Sequence, residues 1–151
     1  NYIKATLDAC LFYPAKRQEL RGKRILQMDE KYYLADHGIR QAVYGENFRD
    51  IHLILENIVF MELLRRGFEV TVGRMGEKEV DFVAEKAEQK LYVQVSYIMS
   101  DEATFNREIS PLLDIKDNFP KYIISMDPIN RSTQGIKHVH ILTFLLETED
   151  L

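Results

Sequence analysis

Between Lys78 and Ile98, apolar and polar residues alternate through two consecutive stretches, which predict two β-strands joined by a polar hairpin turn. Val80, Phe82 and Ala84 alternate with Asp81, Val83 and Glu85. After the turn, Leu91, Val93, Val95 and Tyr97 alternate with Tyr92, Gln94, Ser96 and Ile98. Asp81 stands mid-strand between large apolar residues, so it is expected away from a freely solvated face, where a carboxylate without a partner is costly. Gln94 and Ser96 share one face of the second strand. An acid on one strand and two polar groups on the next predict a small polar site.

The remaining elements follow from the same patterning. Residues 2–13 place Ile3, Leu7, Cys10 and Leu11 on one helical stripe, and Pro14 is expected to stop that helix. AKRQELRGKRILQ predicts a β-hairpin turning near Arg21-Gly22, with Lys16, Arg17, Arg21, Lys23 and Arg24 against the single acid Glu19. That hairpin reads either as a basic finger touching phosphates or as ordinary solvated charge. In KYYLADHGI, Tyr32, Tyr33 and Leu34 predict a short strand, and Asp36-His37-Gly38 a turn.

Asn47, with Asp50 three residues on, is the expected cap of a helix running to about Arg66 and ending at Gly67. Its middle, IHLILENIVFMELL, is apolar nearly all round and therefore buried. Glu56 and Glu62 fall among those apolar positions and need an arginine, lysine, helix end or metal as partner. Residues 68–74 predict a strand, with Gly73 and Gly76 opening a turn. Residues 102–118 predict a helix bent or restarted at Pro111. Residues 121–127 predict a buried strand, and residues 139–146 a last strand, alone or followed by a helical turn. A meander followed by an α-β crossover gives an α/β fold, a mixed central β-sheet flanked by helices, preceded by an N-terminal helix and hairpin. The expected division is 1–30 as a lead-in segment and 31–151 as the main domain.

Composition narrows the function classes. The chain has 151 residues, enough for one domain with its own core. No uninterrupted apolar run is long enough to cross a bilayer, and no signal peptide is recognised, which argues against membrane partners. The single Cys10 excludes an internal disulfide and a sulfur-based zinc site, and predicts a reducing, cytoplasmic location. The net charge of −4 argues against a general nucleic-acid coat. Charge is uneven, with 12 basic and 10 acidic side chains in residues 1–75 and 8 and 14 in residues 76–151. His37, His52, His138 and His140 are isolated. His138 and His140 share a strand face at a metal-like spacing, without a third ligand. A start at Asn1, inside a helical pattern and without methionine, predicts a piece of a longer protein whose function lies partly upstream.

The segments ENIVFMELLRRGFEV, EVDFV, YVQVSY and FNREISPLLDIKDNFPKYIISMD, in that order, resemble the carboxy-terminal domain of a widespread group of prokaryotic predicted AAA+ ATPases, and KYYLADHGIRQAVYG resembles the stretch leading into it. The resemblance covers roughly Tyr2 to Leu146. It implies an upstream ATPase module that binds ATP, a winged-helix segment, and a last domain of restriction-endonuclease-like fold. The related nucleases carry a helix glutamate, a strand aspartate and an acid-x-lysine on the next strand, which hold Mg²⁺ and position water. By resemblance Glu56 matches the helix acid and Asp81 the strand acid. Gln94 and Ser96 stand where the acid and the lysine belong, a double departure, since Gln brings no charge and Ser no ammonium. Lys90 lies on that strand, but too near the turn to substitute. No GxxxxGK[ST] phosphate loop occurs, so this stretch is not expected to hydrolyse ATP. The expectation is a degenerate nuclease-like accessory domain with no cofactor of its own, contacting its ATPase module, a protein partner or DNA. The alternative is a weak Mg²⁺-dependent nuclease using Glu56, Asp81 and Gln94, with a lysine supplied from elsewhere. A third reading pairs Asp81 with Arg74 or Arg107 and leaves no site.

Overall fold

A computed structural model describes residues 2–22, 24–26, 30–45 and 50–147. Lys23 and Asn47, the expected helix cap, lie outside the described residues. In chain order the elements are α1 (Tyr2–Asp8), β1 (Phe12–Ala15), β2 (Arg17–Glu19), β3 (Arg24–Ile25), β4 (Lys31–Leu34), α2 (His37–Tyr44), α3 (Ile51–Arg65), β5 (Glu69–Met75), β6 (Lys78–Lys86), β7 (Gln89–Val95), α4 (Glu102–Asp114), β8 (Lys121–Ser125), β9 (Ile136–His140) and α5 (Ile141–Leu146). β1 and β4 form a two-stranded antiparallel ribbon. The other strands form one mixed sheet in the order β3-β2-β5-β6-β7-β8-β9. Its centre, β5 to β7, is an antiparallel meander, and β8 and β9 continue it in parallel. The basic hairpin β2–β3 does form, and β2 pairs in parallel with β5, so the hairpin is the edge of this sheet.

Helices cover both faces. On one, α3 and α5 bury Val59, Phe60, Leu63 and Phe144 against Phe82, Val93 and Ile124. On the other, α4 buries Ile109 and Leu112 against Val80, Val83, Tyr92 and Ile123. No described helix is long and apolar enough to cross a membrane.

Several expectations are corrected. The first helix ends at Asp8, not near Pro14. Cys10 takes a left-handed conformation (φ 54°), so that Cys10 N–H reaches Leu7 O and Leu11 N–H reaches Thr6 O and closes the helix. Pro14 lies within β1, in a two-stranded ribbon that tolerates a missing donor. Asp36 begins a helix rather than a turn, its carboxylate accepting from Gly38 N–H. Gly73 lies inside β5, where a Cβ would come within 3.0 Å of Val83 and 3.1 Å of Val80. α4 ends at Asp114 rather than 118 and runs through Pro111. Residues 139–146 divide into the end of β9 and the helix α5. α3 ends as expected, with Gly67 left-handed (φ 84°) and Phe68 N–H bonded to Leu63 O.

The β6 pattern also differs from strict alternation. Thr71 pairs with Val83 but Gly73 with Val80, so β6 carries an extra residue between these pairs. Val80 and Val83 therefore face the same apolar layer, and Asp81 sits at the bulge.

Phe60 is the junction of the α3-side layer. Its ring stacks on Tyr33 at 4.0 Å and meets Phe82 at 5.8 Å, joining β4, α3 and β6. Phe60→Ala is expected to cost about 3–5 kcal/mol, as for other large-to-small changes at buried aromatics. Urea unfolding of wild type and variant would measure it, and a loss under about 1 kcal/mol would contradict this packing.

Candidate functional site

The site is assembled from both ends of the chain. Glu56 projects from α3, and β4 brings Lys31 and Tyr33, two residues apart and so on one strand face. The Tyr33 hydroxyl donates to Glu56 Oε1 at 2.6 Å, and Lys31 Nζ lies 3.2 Å from the same oxygen. Lys31 Nζ also lies 2.5 Å from Glu79 Oε1, and the other Glu79 oxygen pairs with Arg17. Burial alone would lower the Lys31 ammonium, but Glu56 and Glu79 outweigh it and hold it above the ordinary lysine value. Burial alone would raise Glu79, but Lys31 and Arg17 hold its carboxyl below the usual range. Burial, followed by the charge and hydrogen bond of Glu56, pushes Tyr33 well above an ordinary phenol.

Asp81 lies just beyond the β6–β7 ladder, which begins at Phe82–Val93. Its Oδ2 accepts from Val95 N–H at 2.7 Å, and its own N–H donates to Gln94 Oε1 at 3.3 Å. Gln94 Nε2 in turn donates to Glu108 Oε2 of α4 at 3.4 Å. Burial, and then the nearby Glu56 charge, push the Asp81 carboxyl up to about 8, against the Val95 hydrogen bond and the Lys31 charge. Its expected partners are engaged elsewhere: Arg74 Nε donates to Gly76 O, and Arg107 pairs with Glu108. Glu62 is buried and held by Arg65 and Arg66 at 2.6 and 2.8 Å.

Glu56, Asp81 and Gln94 thus fall into one region, and Ser96 follows directly, buried at the end of β7. Lys90 is at the hairpin turn, paired with Glu85. Sequence reasoning did not find Lys31, Tyr33, Glu79 and Glu108 as members. The signal was weak: a Lys-x-Tyr on a four-residue strand and a glutamate two places before Asp81. Among the candidate DNA-contact residues, Arg17 is drawn into the acid cluster, while Lys16, Arg21 and Arg24 are exposed.

The two-histidine reading is corrected. His138 Nδ1 accepts from Arg131 N–H at 3.0 Å, so Nε2 carries the proton toward Ser125 Oγ at 2.8 Å. Ser125 donates to Asp127 Oδ2, also at 2.8 Å. Protons therefore point from His138 through Ser125 to Asp127, opposite to what a hydrolytic triad requires. His140 Nδ1 accepts from Leu142 N–H and starts α5.

No family model matches the chain, and no solved structure matches it. It is 39% identical over 148 residues to an uncharacterized protein of Haemophilus influenzae. That match covers 97% of this chain and 36% of the relative, so the chain spans little more than a third of that protein's length.

A Mg²⁺ centre needs several oxygen donors, mostly charged, converging on one point. Here Glu56 Oε1 already holds a phenol and an ammonium, Gln94 Oε1 holds a backbone N–H, and Asp81 Oδ2 holds the Val95 N–H. Among the described residues, no three His, Cys, Asp or Glu side chains are placed to hold a metal. As arranged, these residues do not fit the ion that the resemblance implies.

The Asp81 proton gives a pH test. The unfolded carboxyl loses it near 3.8 and the folded one near 8, so between these values the folded chain binds the extra proton. Stability then falls as pH rises through this window and levels off above it. Asp81→Asn keeps an acceptor for Val95 N–H without the charge. It is expected to melt higher than wild type at pH 8.5 and to converge with it near pH 4. Parallel melting curves across this range would contradict the buried proton.

Proposed function

We propose that this chain is a nuclease-like accessory domain of an AAA+ family ATPase, without the catalytic set, that works by contact with its ATPase module, a protein partner or DNA. The element order supports a restriction-endonuclease-like reading: α3, the antiparallel β5–β6–β7, the crossover helix α4, then parallel β8. The 36% share of the Haemophilus relative leaves room in such proteins for a further module. The observation that carries the reading is Lys31. Its ammonium sits between Glu56 and Glu79, where a catalytic arrangement would direct free carboxylates at a cation. With Gln94 and Ser96 in place of acid and lysine, no group on β7 supplies charge to polarise a phosphate or an amine to position water.

Lys31 also supports the alternative. A lysine delivered from β4 beside Glu56 is the ammonium that β7 does not bring to this site, so a weak Mg²⁺-dependent nuclease would need Glu56, Asp81 and Gln94 released from their present partners. Cleavage of supercoiled plasmid and of single-stranded DNA, with Mg²⁺ or Mn²⁺, separates the two. The expected result is no cutting above background by wild type, Asp81→Ala or Lys31→Ala. Cutting by wild type that disappears in Asp81→Ala would overturn the contact-only reading, and its loss in Lys31→Ala as well would assign Lys31 the missing amine role.

A further inference from the structure

A cleft lies on the other face of the sheet from Glu56. It has a volume of about 720 Å³ and runs beside α4, between the sheet and the segment that follows this helix. Leu20, Met75 and Tyr92 lie along its floor, and Phe119 stands at one end with its ring partly exposed. Arg21, Lys90 and Lys116 line it.

The acids in this cleft are neutralised from within the chain. Asp114 is held by Lys78 at 2.5 Å, which keeps its carboxyl below the usual range. Asp117 accepts from the Tyr92 hydroxyl at 2.6 Å and from Lys121 at 3.2 Å. Lys90 shares its charge with Glu85 at 2.7 Å and lies 5.9 Å from the Phe119 ring. Arg21 and Lys116 are exposed side chains in the cleft's lining. The cleft thus presents cations above an aromatic and aliphatic floor.

We propose that this cleft binds an unpaired nucleic-acid strand, its phosphates along Arg21, Lys116 and Lys90 and a base against Phe119. The choice rests on two features together. The cations match a polyanion, and the exposed ring offers a face on which an unstacked base can stack. A duplex keeps its base faces inside its own stack and gains nothing from Phe119. The assignment specifies the DNA-contact part of the function proposed above and is independent of any cutting at Asp81.

Fluorescence anisotropy of a labelled oligothymidylate with the 151-residue chain at low salt tests it, with circular dichroism and melting curves of each variant as folding controls. The expected result is saturable binding that weakens with salt. The double variant Arg21→Glu, Lys116→Glu should weaken it by about tenfold or more, and Phe119→Ala by about fivefold or more. Unlabelled duplex of the same length should compete poorly. Four results would overturn the proposal: no saturable binding, equal affinity for the duplex, wild-type affinity in a folded double variant, or displacement by polyglutamate as effective as by the oligonucleotide itself. A chain that binds but does not cut separates this site from the acid cluster, and a chain that cuts but does not bind the unpaired strand refutes only the cleft.

Discussion

A carboxylate taken out of water needs a positive charge or a proton, and this fold supplies one or the other to each acid in the cluster. Glu56 and Glu79 receive Lys31 and Arg17, and Asp81 holds its proton. The cations come from β4 and β2, the acids from α3 and β6. Charge balance therefore joins the first 34 residues to the central sheet, beside the Tyr33–Phe60–Phe82 ring cluster. The ribbon β1–β4 has few residues of its own in the core, Ala15 and Tyr33 being its buried ones, and would be weakly held without these pairs.

The geometry of Asp81 depends on the extra residue in β6. In a regular strand the period of two would direct its side chain squarely at one apolar layer. The bulge instead puts it where β6 and β7 part, within reach of the unpaired Val95 N–H. The same displacement brings Gln94 Oε1 to the Asp81 N–H, so each of the two side chains caps the other strand's free backbone donor. A residue set that resembles a catalytic constellation is here used to end a ladder cleanly, and this local use needs neither metal nor lysine.

Long elements with strong periodicity were legible in the sequence. The Gly67 stop of α3 and the burial of its second half, the β6–β7 hairpin, the basic hairpin and the strand-then-helix option at the end correspond to what is observed, while Leu53 in the first turn of α3 is exposed. The failures share a cause: they hinge on a backbone conformation that carries no residue signal. Cys10 ends α1 with the same closure that Gly67 gives α3, but a cysteine does not announce a left-handed turn. Asp36 caps α2, an eight-residue helix with no buried side chain and hence no core-facing stripe to read. In the site, Glu56, Asp81 and Gln94 were legible because acids and amides stand out in apolar runs. Lys31 and Glu79 were not, because a charged residue near the end of a strand reads as solvent-facing until tertiary contacts bring the two together.

The two faces of the sheet differ in what they leave available. On the α3 face, a cation from the chain itself already lies between the acids, so an external one would have to displace a tethered competitor with no translational freedom to lose. On the α4 face, Lys78 and Lys121 pair with Asp114 and Asp117, and Arg21, Lys90 and Lys116 line the same cleft. A net charge of −4 does not oppose this, since at physiological salt a charge is felt over only about 8 Å. Binding on such a protein is decided by the local arrangement of charges, and it is this arrangement that the proposed contact function rests on.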